Sequence, residues 1–501
     1  MKNYYLSTRG GQKSLSASEG IIKGIASDGG LFVPSFIDHL SLNPESITTM
    51  HYGELTLEIL KRFLTDFSEN TIKECIKKAY YSGKFDQEEP VSFKHLEDRT
   101  FLELYHGPTC AFKDMALTIL PYLMTNAITI QKIDKDIVIL TATSGDTGKA
   151  ALEGFASVDR IAIVVYYPKE GVSPIQERQM LTQQGQNTCV IGVDGNFDDT
   201  QTGVKKILND PDRIQKIGQL GYLFSSANSI NIGRLLPQMV YYYYSYAEMV
   251  RKGMIAPGDL LNFVVPTGNF GDILAGYYAK KLGLPINRLI CASNRNNTLS
   301  DFFKTGVYNR NRPFHKTTSP SMDILISSNL ERLLYDLYDG DTKIIAQLMT
   351  DLNQKGQYTV SKAVQKRLNQ EFYANYADEN QTAAEINKQY RQDGYLIDPH
   401  TAVASAVYNT YLEETNDPTK TVILSTASPY KFATTVYKSI FGKIPEDKSD
   451  FDILKDLSQK TKTTIPKNLQ NLDKKACLHN GTCTPSQMAI ATEAFLKKGA
   501  F

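Results

Sequence analysis

The chain has 501 residues, 42% of them apolar, and carries 55 Lys and Arg against 54 Asp and Glu. That length can bury a substantial core and, at about 150 residues per domain, suggests two to four structural units. Balanced charge, with no basic tail or acidic block, sets aside nucleic acid and membrane surfaces as partners and leaves small-molecule chemistry as the default.

The opening "MKNYYLSTRGGQ" has no apolar core of a secretory leader, and no run long enough to cross a bilayer follows, so the expected location is cytoplasmic. In "SASEGIIKGIASDGGLFVP" a Ser/Glu start predicts a helix, with Asp28-Gly29-Gly30 as its stop. Ser68 precedes an amphipathic run in which Ile72, Cys75, Ile76 and Ala79 recur at helical spacing. These signals make residues 1–90 a small helical N-terminal domain.

From about residue 99 the pattern changes to short apolar runs, each followed by a turn and a helix. The predicted strands are "TFLELY", "DIVILTAT", "RIAIVVYY", "TCVIGV", "LLNFVVPT", "RLICAS" and "TVILST". Continuous β-branched runs suit parallel strands buried on both faces, so residues 91–440 read as an α/β unit in two lobes. Residues from about 322 to 390 are polar and helix-rich and are expected to form a helical insert outside the sheet. Residues 441–501 form a C-terminal extension ending in a helix that starts at Thr484-Pro485. Six scattered cysteines without metal spacing predict free thiols and no metal site. The sequence does not set the oligomeric state, for which a monomer is the working expectation.

Lys113, in "ELYHGPTCAFKDMALTIL", stands at an expected helix start, where the helix dipole disfavours an ammonium. Either it reaches into solvent or it is wanted as a neutral amine. Three turns at strand ends suit anions. "TATSGDTGKAAL" offers Thr143, Ser144, Gly145, Asp146 and Thr147; "VVPTGNFGDILAG" offers Gly268 to Asp272; "VILSTASPYKF" offers Ser425, Thr426 and Ser428. Each alone could be only a cap or a tight turn. Neither of the Gly-rich turns has P-loop or dinucleotide spacing, which leaves a phosphate-bearing organic ligand and a reactive lysine.

Taken together, "HGPTCAFKDMAL", "TSGDTG", "PTGNFGD" and "STASPYKF" resemble the threonine synthase family, pyridoxal-phosphate enzymes of the tryptophan-synthase-β fold group. "PKEGVSPIQERQM", "VDGNFDDTQTGVK", "SSANSINIGRLLPQMVYYYY" and "TTSPSMDILISSNLERLL" extend the resemblance over roughly residues 4–440. It implies a two-lobed fold type II α/β architecture with open, mostly parallel sheets, and pyridoxal 5′-phosphate as cofactor. It further implies conversion of O-phospho-L-homoserine and water to L-threonine and phosphate, a lyase reaction closing threonine biosynthesis.

Carried over by the same resemblance, Lys113 would hold the cofactor as a Schiff base and then act as the base. Gly268, Asn269, Phe270, Gly271 and Asp272 would form or support the cofactor-phosphate cup, and Thr426 would meet the pyridine nitrogen. Thr143, Ser144, Gly145, Asp146 and Thr147 are assigned to the substrate carboxylate. Asn228, Ser229, Asn231, Arg234 and Lys431 are candidates for the substrate phosphate. The alternatives are another fold type II enzyme, such as a threonine dehydratase or cysteine synthase, a catalytically silent cofactor-binding homologue, and a nucleotide-binding protein.

Overall fold

A computed structural model describes residues 3–143, 145–169 and 172–499. Two open sheets organise the chain. The larger has six strands in the spatial order Phe372–Tyr376, Ile286–Ser293, Leu261–Pro266, Thr421–Ser425, Thr100–Glu103, Ser92–His95. Its pairings are parallel except the last, an antiparallel edge. The smaller sheet runs Gly481–Cys483, Thr188–Val193, Ile161–Pro168, Asp136–Ala142, Tyr222–Ser225, and every pairing in it is parallel.

The physical basis is the one the runs suggested. Every residue of Ile161–Pro168, Leu261–Pro266 and Thr421–Ser425 is buried, as strands covered by helices on both faces require. All seven strands predicted from apolar runs are present within a residue or two of their expected bounds. Because the strands are parallel, their carboxyl ends lie on one side of each sheet, and the turns after them face a common cleft.

The N-terminal segment is not wholly helical. Tyr5–Ser7 pairs antiparallel with Phe32–Pro34, and the helix between them, Ala17–Lys23, opens with a Ser16–Glu19 capping box. That helix stops earlier than expected, at Gly24, whose φ of +69° favours glycine. Asp28 instead accepts from the Ser7 hydroxyl and the amides of Gly11 and Gly30, closing a turn.

The insert also departs from expectation. Residues 330–371 are mainly helical, but Phe372–Tyr376 joins the main sheet as its edge strand. Only Phe372 and Ala374 are buried there, and an edge strand with a partly exposed face lacks the continuous apolar run that marked its neighbours. The C-terminal extension crosses to the smaller sheet, adds Gly481–Cys483 to its edge, and ends in the helix Met488–Lys497. Among the described residues no helix is long and apolar enough to cross a membrane.

Candidate active site

Lys113 is placed by two strand ends at once. The Phe112 amide donates to the Thr426 carbonyl (2.8 Å) and the Ser428 amide to that of Cys110 (3.0 Å), so residues 110–112 run antiparallel to 426–428. The lysine then starts a helix of four residues, Asp114–Leu117. So short a helix has a weak dipole, and the expected reason for a neutral amine gives way to a stronger one. Lys113 is 8% exposed, and burial pushes its pKa from 10.5 down to about 8; Asp146 opposes the shift while Arg234 and Lys431 add to it.

Asp146 opens the helix Asp146–Phe155 of the smaller lobe, yet its carboxylate is met mainly from the larger one. Oδ1 lies 2.6 Å from Lys431 Nζ and accepts from Gln176 (2.9 Å), while Oδ2 accepts from Ser321 Oγ (2.9 Å) and lies 3.8 Å from Lys113 Nζ. Burial opposes its charge, but Lys431 and Lys113 outweigh that and hold it well below the usual carboxylate range. Gly145 before it has φ +142°, and a Cβ there would stand 2.7 Å from the Gln176 side chain. Thr143 Oγ1 accepts from the amides of Gly145 (3.0 Å) and Gly148 (2.9 Å), which ties it to the start of this helix, where Gly145 is the N-cap. Thr147 is the second residue of the same helix, and Ser144 lies outside the described residues.

The glycine turn after Leu261–Pro266 is held from behind. The Gly268 carbonyl accepts from Ser327 Oγ (2.6 Å), and the Asn269 carbonyl from the amide and side chain of Asn329 (both 3.1 Å). A trans peptide points its N–H opposite to its carbonyl, so the Asn269 and Phe270 amides face away from that support. Phe270 has φ +64°, a conformation costly for a bulky side chain, and its ring is anchored against Phe303 and Phe372. Asp272 follows at the start of the helix Gly271–Lys281. Oδ1 accepts from Tyr241 (2.6 Å) and Tyr242 (2.8 Å), Oδ2 has no partner among the described residues, and burial pushes the carboxyl up to about 6. The tyrosine run thus serves packing and this carboxyl.

The residues expected at a second phosphate divide. Arg234 is buried and donates to the Ala227 carbonyl (3.0 Å); among the described residues no carboxylate pairs with it. Lys431 is buried with Asp146 and the Thr109 carbonyl (2.9 Å) as partners. Ser229 lies beside Gly271, where an added methyl would stand 3.8 Å from the serine Cβ. Asn228 is exposed. Asn231 is spent on the backbone: Nδ2 donates to Ile21 and Ser226 and Oδ1 caps Gly233. Thr426 is buried at the strand end opposite Lys113.

Several contributors carried no signal of their own in the sequence. Ser321 comes from "TTSPSMDI", His400 and Asp398 from "DPHTA", and Gln176 from "SPIQER". Arg332, fully buried, ties the N-terminal segment at Phe32 (2.9 Å) to Ile230 (2.5 Å) and to Asn329 (2.5 Å) behind the glycine turn. "DPHTA" and "SPIQER" share one readable local feature, a capping residue followed by Pro at the start of the helices Pro399–Thr415 and Pro174–Leu181.

Comparison with known proteins accounts for nearly the whole chain. Residues 4–80 match the family described as "Threonine synthase N terminus", 100–427 "Pyridoxal-phosphate dependent enzyme", and 401–475 "Threonine synthase, C-terminal". The last match reaches well into the extension after residue 440. Human threonine synthase-like 1 is 40% identical over 436 residues, 84% of this chain but 58% of that protein, so the chain spans less than two thirds of that relative. The threonine synthases of Schizosaccharomyces pombe and Pseudomonas aeruginosa are 38% and 36% identical, over 85% and 88% of this chain and 87% and 91% of their own lengths.

Among solved structures, pyridoxal-phosphate-bound threonine synthase from Brucella melitensis superposes with a TM-score of 0.86 at 33% identity, and the yeast enzyme with 0.87 at 33%. Each comparison covers 99% of both chains. The architecture is therefore fold type II, and pyridoxal 5′-phosphate is the cofactor. The residues present fit that group: a buried lysine of lowered pKa stands near a buried guanidinium that no described carboxylate pairs, and near a turn whose Gly268 lets the backbone of Ser321 and Met322 pack where a Cβ would stand. With matches of this identity and coverage from residue 4 to residue 475, the chain belongs to the threonine synthase family of pyridoxal-phosphate-dependent enzymes.

Proposed function

We propose that this protein converts O-phospho-L-homoserine and water to L-threonine and phosphate. The observation that carries the reading is the charge of the buried cleft. Lys113 and Lys431 flank one strongly ionised carboxylate, Asp146, and Arg234 acts on Lys113, while burial pushes Asp114 and Asp272 up to about 6. The Arg234 guanidinium, buried and without a carboxylate partner among the described residues, calls for an anionic ligand, which a phosphorylated cofactor or a phosphorylated amino acid supplies.

Pyridoxal phosphate, when bound, supplies the electron sink that lets protons leave carbons near the substrate nitrogen. Lys113 holds the cofactor and afterwards removes and returns protons at Nζ, a task suited to an amine whose pKa lies near the working pH. Gly268, Asn269, Phe270 and Gly271 hold the cofactor phosphate through backbone amides at a helix start, supported by Asp272. Thr426, neutral and buried, would meet the pyridine nitrogen of the bound cofactor.

The substrate carboxylate is assigned to Thr143, Ser144, Gly145 and Thr147 at the start of the Asp146–Phe155 helix, with Asp146 steering Lys431. Arg234, Lys431 and Ser229 meet the leaving phosphate, whose growing charge needs donors already in place. Asn228 stands at the rim of this group, and Asn231 shapes its loop. The protein acts on a small molecule in the cytoplasm, and a monomer suffices because each of these groups comes from one chain.

The test is incubation of the cofactor-loaded protein with O-phospho-L-homoserine, measuring phosphate and L-threonine together. Equal release of both is expected. Ammonia and a 2-oxo acid formed from threonine would indicate a dehydratase instead, and cofactor binding without turnover a silent homologue.

A further inference from the structure

We propose that Ser321 is a positioning residue that keeps the lone pair of Lys113 Nζ free, with its own orientation set by His400 and Asp398. The inference rests on Lys113 serving as the base, and its support is the direction of each hydrogen bond in a connected chain.

Asp398 caps the helix Pro399–Thr415, Oδ2 accepting from the His400 amide (2.9 Å) and Oδ1 from that of Thr401 (3.1 Å). Oδ2 also lies 2.6 Å from His400 Nδ1, so that nitrogen carries the proton and donates it. His400 Nε2 is 3.1 Å from the Ser321 amide, which can only donate, so Nε2 is the bare nitrogen. The geometry thus assigns Nδ1 as donor to Asp398 and Nε2 as acceptor, and the imidazole pins the Ser321 backbone.

The Ser321 side chain has one proton, and it goes to Asp146 Oδ2 (2.9 Å), an ionised oxygen that only accepts. Ser321 Oγ is left able to accept alone. Lys113 Nζ lies 3.4 Å from it and must be the donor. A neutral amine has two N–H bonds and one lone pair. One N–H is used on Ser321, and the lone pair remains for a proton from substrate. Were the bond reversed, with Ser321 donating to Nζ, the lone pair would be occupied at the moment the base is needed.

The hydroxyl also stands between opposite charges. Without it, Asp146 Oδ2 loses a donor and draws the ammonium form of Lys113, 3.8 Å away, into direct pairing. The other charged groups acting on Lys113 are Arg234, Lys431, Asp114 and Asp272, and none of them is altered by a change at Ser321.

The experiment uses cofactor-free protein and follows the absorbance change as pyridoxal phosphate joins Lys113, across the pH range in which lysine loses its proton. Ser321→Ala is expected to move the midpoint of the rate profile up by about one pH unit and slow joining about tenfold at neutral pH. Ser321→Thr, which keeps the hydroxyl, is expected to restore the wild-type profile, and His400→Gln, which keeps an acceptor near Nε2, to lie close to it. In the loaded enzyme Ser321→Ala lowers kcat about tenfold, short of the roughly 10²–10⁴-fold loss of a base, with KM nearly unchanged. A wild-type midpoint and kcat in Ser321→Ala overturn the proposal. If wild-type protein joins the cofactor but does not turn over O-phospho-L-homoserine, the activity reading fails, while the joining profile still decides the role of Ser321.

Discussion

Asp146 and Lys431 belong to different lobes, and their charged groups meet 2.6 Å apart with both side chains buried. The pair is a latch across the cleft as well as a charge balance, since Asp146 reaches Ser321 and Lys113 with its other oxygen. A buried pair is stable only while both partners are present.

Lys431→Met is accordingly expected to cost about 3–5 kcal/mol, read as a lower urea midpoint for the cofactor-free protein. Asp146 has a lowered folded pKa, so its contribution is full above the ordinary carboxylate range and is lost as pH falls through the lower folded value. In Lys431→Met that acid-side loss should shrink. An unchanged urea midpoint would count against the latch.

Lys113 makes the opposite prediction. Its folded pKa of about 8 lies below the ordinary 10.5, so the unfolded chain binds more protons between those values and stability rises with pH across that window. Below it, the folded protein keeps a buried ammonium at a cost. Lys113→Met should abolish threonine formation yet raise cofactor-free stability near neutral pH by about 1–3 kcal/mol. The gain over wild type should narrow above pH 8. Equal stability of the two proteins at neutral pH would show that the lysine is not held at a cost.

A second pH response comes from the segment that leads to Lys113. His106 is half-buried between Asp86 and Glu103, each 3.0 Å away. Burial opposes its charge, but hydrogen bonds to Asp86 and Glu103 prevail and raise it to about 9; Glu103, also accepting from Ser92 and Tyr395, is lowered to about 2. The raised histidine contributes stability that is full below about 6.5 and lost as pH rises through about 9. His106→Gln should be less stable at pH 6 and lack that decline, which denaturant midpoints across the range will show.

Gly268→Ala tests the glycine turn. A Cβ there would stand 3.0 Å from the Ser321 carbonyl oxygen and 3.2 Å from Met322 Cα, and backbone cannot swing aside as a side-chain tip can. The turn bearing Ser321 must shift. Pyridoxal phosphate affinity is expected to fall about tenfold, about 1.4 kcal/mol, by titration of the cofactor-free protein. Undiminished affinity would mean that Gly268 is not part of the phosphate cup.

Much of this was legible from local pattern. The strands Ile161–Pro168, Leu261–Pro266 and Thr421–Ser425 announce themselves because burial on both faces leaves nothing polar in the run. Ser16–Glu19 and Ser68 mark their helix starts because capping is a contact over three residues. The edge strands Phe372–Tyr376 and Gly481–Cys483 did not, because partners far along the chain, rather than their own composition, make them strands.

The same division holds at the site. By itself the sequence determined the lysine, the three turns and the likeness to a family, since each is a short string with its own chemistry. Only the tertiary structure decided what makes Lys113 a weak cation: burial among Arg234 and Lys431, rather than the dipole of a helix that proves to be one turn long. It alone also brought Ser321 to that amine from 208 residues along the chain, and His400 behind it from further still. Charge and desolvation act through space, and strings along the chain do not record which distant groups a fold will bring within a few ångströms.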